Sequence, residues 1–189
     1  MTTRTEISDA RQAGFLHLRL KRNRDGRKFD LLMPDLPGEW TTSLINNSEI
    51  ERFEFVKSAE VVWIMVDGRQ FADSKTRQRA EHTLTNLIER LSPLLSSSHQ
   101  VVLVSTWRDQ QVLPPASLLR IQKTALSFGL KLVLVPIASF SNDGEVVPGE
   151  GLSELIDITL SRKGIAPDPW PDFAPSASGR AFANYRRHP

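Results

Sequence analysis

The sequence predicts an α/β protein: three layers around a mostly parallel sheet, with an antiparallel hairpin at the N-terminal end. Three observations carry this. Two short apolar runs, Val61-Val62-Trp63-Ile64-Met65-Val66 and Val101-Val102-Leu103-Val104, have the pattern of strands buried on both faces, as parallel strands are. Amphipathic stretches at helical spacing alternate with these runs, as strand–helix–strand units require. Ahead of both, an alternating stretch, a turn signal and a second alternating stretch read as a hairpin.

In chain order, residues 1–14 form a polar N-terminal segment with no strand pattern. Phe15 to Leu20 alternates apolar and polar, Asn23-Arg24-Asp25-Gly26 is a turn signal, and Lys28 to Met33 is the returning strand. A polar stretch is expected after Gly38. Ser48 followed by Glu51 has the spacing of a capping box and predicts a short helix there. The run ending at Asp67 is the first buried strand. Ser74 to Leu95 is the strongest helix, with Ala80, Leu84, Leu87, Ile88 and Leu91 on one face. A strand over 100–105 follows, then a helix opened by Pro114-Pro115 and closed by Gly129. A strand from Leu130 to Val135, a loop over 142–149 and a helix from Leu152 to Arg162 complete the domain, which spans 15–164. Residues 165–189 are rich in proline and read as a tail that is flexible or docks through Trp170, Phe173 and Tyr185.

Composition narrows the functional classes. Hydrophobic content of 40% with 24% charged residues is that of a soluble globular domain, and 189 residues suffice for a sizeable core. No apolar run reaches the roughly 18 residues of a membrane span, and the N-terminus lacks the apolar centre of a secretion signal, so the expected location is cytoplasmic. Without cysteine there is no disulfide, thiolate nucleophile or zinc–thiolate site. A net charge of +2 does not call for nucleic acid. Residues 1–28 nevertheless hold eight Lys/Arg against three acids, with most of the cations around the hairpin turn. That cluster reads as a solvated tip or as a docking surface for an acidic partner. The four histidines are scattered without metal or triad spacing, and no G-x-S-x-G elbow supports hydrolase chemistry. Asp67 and Asp73 read as caps of a loop and a helix rather than as a metal site. Trp40 serves either as a partner contact or as a core anchor.

The chemistry-bearing stretch is Asp35-Leu36-Pro37-Gly38-Glu39, where an apolar strand ends in an acid and a Pro-Gly turn. In parallel α/β sheets, ligands sit just past the carboxyl ends of strands. A carboxylate there can hold magnesium through water, and a glycine leaves a backbone N–H open to a phosphate. This stretch resembles the magnesium- and γ-phosphate-sensing motif of the Ras-like, translation-factor-class P-loop GTPases. Thr106-Trp107-Arg108-Asp109 is similar to that family's guanine-reading motif, and Ala138-Ser139-Phe140 to the motif backing the base. The Asp-x-Pro-Gly-Glu form further resembles GTPase-like proteins of bacterial conflict and secretion gene clusters. The resemblance implies Asp35 for magnesium, Gly38 for the γ-phosphate, Asp109 for guanine and Ser139 behind it. An Asp carboxylate can accept two hydrogen bonds from guanine N1–H and its exocyclic amine, an arrangement adenine does not offer.

The sequence departs from the family in three ways. Trp107 stands where the family has a lysine; an indole can stack on a purine but cannot brace by charge. Glu39 stands where relatives place a water-orienting Gln, and a carboxylate there disfavours hydrolysis. No G-x-x-x-x-G-K-[ST] occurs in the 189 residues, so the first strand, phosphate loop and first helix of such a domain are missing from them. Thr2, Thr3 and Thr5 are equal candidates for the switch threonine. The missing strand would lie between the strands ending at Asp35 and Asp67, leaving two apolar edges open. Three outcomes follow: a partner chain supplies a strand, the two strands pair directly, or residues 1–13 fill in. The expectation is a GTPase-like subunit without hydrolysis of its own, working in a protein complex, with no GTP, GDP or Mg²⁺ held by the isolated chain. The alternatives are a GTP-binding or GTP-hydrolysing subunit completed by a partner's phosphate loop, and a ligand-free scaffold.

Overall fold

The computed structural model describes residues 14–47, 50–141 and 144–161. Strand β1 (Gly14–Lys21) pairs antiparallel with β2 (Lys28–Asp35) over their full length, from Gly14 opposite Asp35 to Lys21 opposite Lys28. The register opposes Arg19 to Asp30, and Asp30 also takes a hydrogen bond from His17 at 2.9 Å. In the turn, Arg22 is paired to Asp25 and its guanidinium lies 5.1 Å from the Phe29 ring centroid. That pairing holds the Asp25 carboxyl down at about 2.

Helix α1 (Gly38–Asn47) follows directly, where the sequence reading gave only a polar stretch and no helix. Its threonines and terminal asparagines are poor helix formers. Packing decides instead: Trp40 and the fully buried Leu44 join Phe53, Val56, Leu91 and Leu94 in one apolar cluster. The segment expected to be a helix capped by Ser48 is a 3-10 helix over Glu51–Ser58, entered through Ile50 with no side-chain cap, and Ser48 itself lies outside the described residues.

The remaining elements form a three-layer α/β unit. Strands β3 (Val61–Asp67), β4 (Gln100–Thr106) and β5 (Leu132–Pro136) make a parallel sheet in the order β3-β4-β5. Helices α2 (Ser74–Leu91) and α3 (Pro115–Ser127) cover one face, burying Ala80, Leu84, Ile88, Ile121 and Ala125 against Ile64, Val66, Val101 and Leu103. Helix α4 (Leu152–Leu160) covers the other, where Leu155 and Ile158 meet Val102, Val104, Val135 and Trp63. The alternation of a strand's side chains assigns each β4 valine to one of these two layers. Asp73 caps α2 through bonds from the Lys75 and Thr76 amides, as its position predicted. Gly129 closes α3 with φ +74° in a paired arrangement: Leu130 N–H bonds the Ala125 carbonyl and Gly129 N–H that of Leu126. Leu130 is therefore part of this cap, and β5 begins two residues later than expected.

The hairpin and the parallel sheet are, among the described residues, two separate sheets. Among the described residues β2 pairs only with β1 and β3 only with β4. Direct pairing of β2 with β3, one of the three expected outcomes, does not occur there. Infilling by residues 1–13 concerns residues outside the described ones, as do the candidate threonines and the tail over 165–189.

Candidate functional site

Parallel strands end at one edge, and the register places Asp67 opposite Thr106 and Ser105 opposite Pro136 there. Three connections gather on that edge. After β3, Asp67 accepts the Arg69 backbone N–H at 3.0 Å and grips the Arg69 guanidinium with both oxygens, at 3.0 and 2.7 Å. The Arg69 hydrogen bonds hold the Asp67 carboxyl below its ordinary value. Gly68 between them is required by close approach: a Cβ there would lie 2.4 Å from the Thr106 carbonyl oxygen. This is the capped loop the sequence predicted. No group of three or more His, Asp or Glu able to hold a metal occurs among the described residues.

After β4, the loop from Thr106 to Gln111 is irregular in two respects. Trp107 has φ +59°, the left-handed region that a bulky side chain rarely adopts. One carboxylate oxygen of Asp109 is buried with no hydrogen-bond partner. Such an oxygen carries an uncompensated desolvation cost. The loop is held from both sides: Gln110 and Gln111 N–H groups bond the Trp107 carbonyl, and Arg108 N–H bonds the Ile137 carbonyl at 3.1 Å. Arg108 also pairs with Glu150 at 2.8 Å. Through Ile137 the loop after β5 is drawn alongside, and Ala138 bridges to Glu150, so exposed Ser139 lies on the same edge as Asp109.

Sequence reasoning missed one contact here. The Arg69 guanidinium lies 4.0 Å from the Trp107 ring centroid, so one face of the indole already carries a cation fixed by Asp67. Nothing in local spacing links residues 38 positions apart; the only signal was that both follow the ends of neighbouring strands.

Asp35 and Gly38 belong to the other sheet. Asp35 is exposed at the end of β2, and Gly38 is the first residue of α1, with nothing within 4 Å of where a Cβ would stand. Gly38 thus stands at a helix N-terminus, where the first amides have no partner within the helix, and a shallow depression lined by Gly38, Glu39, Thr42 and Ser43 lies there. Leu36 between them is drawn into the cluster beneath α1. The structure brings Asp109 and Ser139 to one edge, while Asp35 and Gly38 stand on the hairpin side of the unpaired gap. Trp40 is a core anchor, edge-on to Phe53 at 6.3 Å. The triphosphate cradle of a P-loop domain has no counterpart in the sequence, which contains no G-x-x-x-x-G-K-[ST].

The sequence profile of the Double-GTPase 2 family matches residues 1–160. The chain belongs to that family. The match ends where α4 ends, so the family covers the hairpin, the α/β unit and every site residue considered above, and leaves the last 29 residues outside it. A search of curated proteins found no match. Membership accounts for the GTPase-like order of elements in this Double-GTPase 2 chain: hairpin, helix, then three parallel strands with alternating helices. No helix among the described residues is long and apolar enough to cross a membrane.

Proposed function

We propose that this Double-GTPase 2 chain is a GTPase-like binding or regulatory subunit that works in a protein complex and holds no nucleotide tightly by itself. The observation that carries the reading is the unjoined pair of sheets. β2 and β3 each keep an unpaired edge among the described residues, at the place where a GTPase-like sheet would have its central strand. An apolar strand edge is a template for another strand. A partner segment supplying that strand would close the sheet and bring Asp35 and Gly38 into one site with Asp109 and Ser139.

A second reading is favoured by the Thr106–Asp109 loop. Its left-handed Trp107 and unpartnered Asp109 oxygen are irregularities of the kind that gather at ligand sites. In this reading the partner also supplies a phosphate loop, and the assembly binds or hydrolyses GTP with Asp35 at magnesium, Gly38 at the γ-phosphate and Asp109 on guanine. Titration of guanosine into the labelled chain, followed by amide resonances, tests the site. Weak binding, on the order of a millimolar Kd, is expected, with shifts confined to the loops after β4 and β5 and abolished by Asp109→Ala. Shifts unaffected by that change would remove the Asp109 assignment, and no shifts in the unaltered chain would leave a ligand-free scaffold.

A further inference from the structure

One face of the hairpin is exposed from end to end. By the register, Phe15, Arg19 and Lys21 of β1 share that face with Lys28, Asp30 and Leu32 of β2. All six are exposed, Phe15 at 52% and Leu32 at 40%. The turn end of this face is basic. Lys21 and Lys28 stand directly opposite each other. The Arg22 N–H bonds the Arg27 carbonyl, so the alternation of an antiparallel ladder makes Lys21–Lys28 the non-hydrogen-bonded rung, where side chains stand closest. Like charges facing across a rung destabilise a sheet. No acid relieves this pair. Asp30 is taken by His17 and Arg19, and Asp25 by Arg22 and Arg27. Lys21, Arg24 and Lys28 make no ion pair with any described residue. Residues 19–30 hold six Lys/Arg against two acids, whereas the whole chain carries only +2, so the other residues together are net negative.

We propose that this face docks an extended segment of a partner protein, acidic where it meets the turn and apolar toward the other end of the hairpin. Charge complementarity sets the acidic end. Carboxylates beside Lys21, Lys28 and Arg24 would supply the counter-charge that the described residues do not provide. The other end follows from what lies beyond the cations. Past the Arg19–Asp30 rung the exposed side chains include Leu32 and Phe15, which offer apolar contact area and no further positive charge of Lys or Arg. A phosphate polymer repeats its charge along its length, so a face that turns from basic to apolar suits a protein segment better. From the Lys21–Lys28 rung to the rung of Phe15 the ladder runs about 20 Å, the span of an extended hexapeptide. The surface is the flat of the hairpin and not the open edge of β2, so it stands or falls separately from the strand proposed above.

The test follows amide resonances of the full chain while a hexapeptide of three glutamates, two leucines and a phenylalanine is added. Shifts are expected over 15–21 and 28–34, with a Kd on the order of 100 μM. Affinity should fall about tenfold from low to physiological salt. The deciding variant is Lys28→Glu, which sets an acid opposite Lys21. It should slow exchange of the hairpin amides, because the like-charge rung becomes an opposite-charge one, and yet weaken the peptide at least about tenfold. Damage to folding would move both readouts the same way. Leu32→Ser should weaken the peptide about threefold. Peptide binding unchanged by Lys28→Glu would overturn the proposal, as would an absence of shifts on the hairpin. So would tighter binding of a single-stranded oligonucleotide at the same residues, since nucleic acid would then be the occupant. Shifts confined to β3 would also overturn it, and would speak for the open strand edge instead.

Discussion

At the scale of single residues, the strand-end edge is set by close contacts that few side chains satisfy. Gly68→Ala would drive a methyl into the Thr106 carbonyl and Ser105 Oγ. We expect a loss of more than about 2 kcal/mol, read as a lowered midpoint in urea unfolding. Asp67 gives a pH prediction. Its carboxyl is held below the ordinary 3.8 by the hydrogen bonds of Arg69. A depressed folded pKa means that the stabilisation is present above the unfolded value and is lost as pH falls below it. The Trp107 indole resonance should therefore stay constant from neutral pH down to about 4 and shift only below that. Arg69→Met should abolish the acid shift, since it removes both the stacked cation and the carboxylate's partner. A titration near neutral pH would contradict the pairing. The sequence announced Asp67 as a cap because the residue follows a strand and precedes a turn. The stack of Arg69 on Trp107 needed the parallel register of β3 and β4, which no local pattern encodes.

At the scale of elements, legibility followed the strength of periodic burial. Helix α2 and strands β3 and β4 were plain because Ile88, Val101, Val102 and Leu103 are wholly buried at fixed spacing. Helix α1 was not, since its residues favour coil and only Leu44 is buried. It exists through tertiary packing, and a single truncation should show this. Leu44→Ala is expected to cost about 2–5 kcal/mol and to raise amide exchange through α1 while α2 keeps its protection. A cost below about 1 kcal/mol, within the range of surface changes, would mean that α1 is held by something else. The short helix expected after Ser48 is present as the 3-10 helix over Glu51–Ser58, and only its entry at Ile50 was missed, for a related reason. The spacing of Ser48 and Glu51 fits a capping box, yet the burial of Phe53 and Val56 sets the geometry of that segment.

At the scale of the whole molecule, a GTPase-like α/β domain was visible in the order of elements and in three strand-end motifs, and family membership now stands behind it. Of the three outcomes expected for the open edges, direct pairing of β2 with β3 does not occur among the described residues, and sequence alone did not decide this because it shows which strands are apolar but not which partners they find. The candidate site is divided in the same way. Asp109 and Ser139 come together through the parallel sheet, and Asp35 and Gly38 wait on the hairpin. Without a phosphate loop in the 189 residues, a triphosphate beside Asp35 and Glu39 meets Coulomb repulsion that the amides and lysine of such a loop would offset. The central claim is thus that the isolated chain does not hold nucleotide tightly. Calorimetric titration with GTP and excess magnesium tests it most directly. The account predicts no saturable binding at micromolar nucleotide; a monomer that binds GTP with a micromolar Kd would contradict it, since the phosphates would then be held with no phosphate loop.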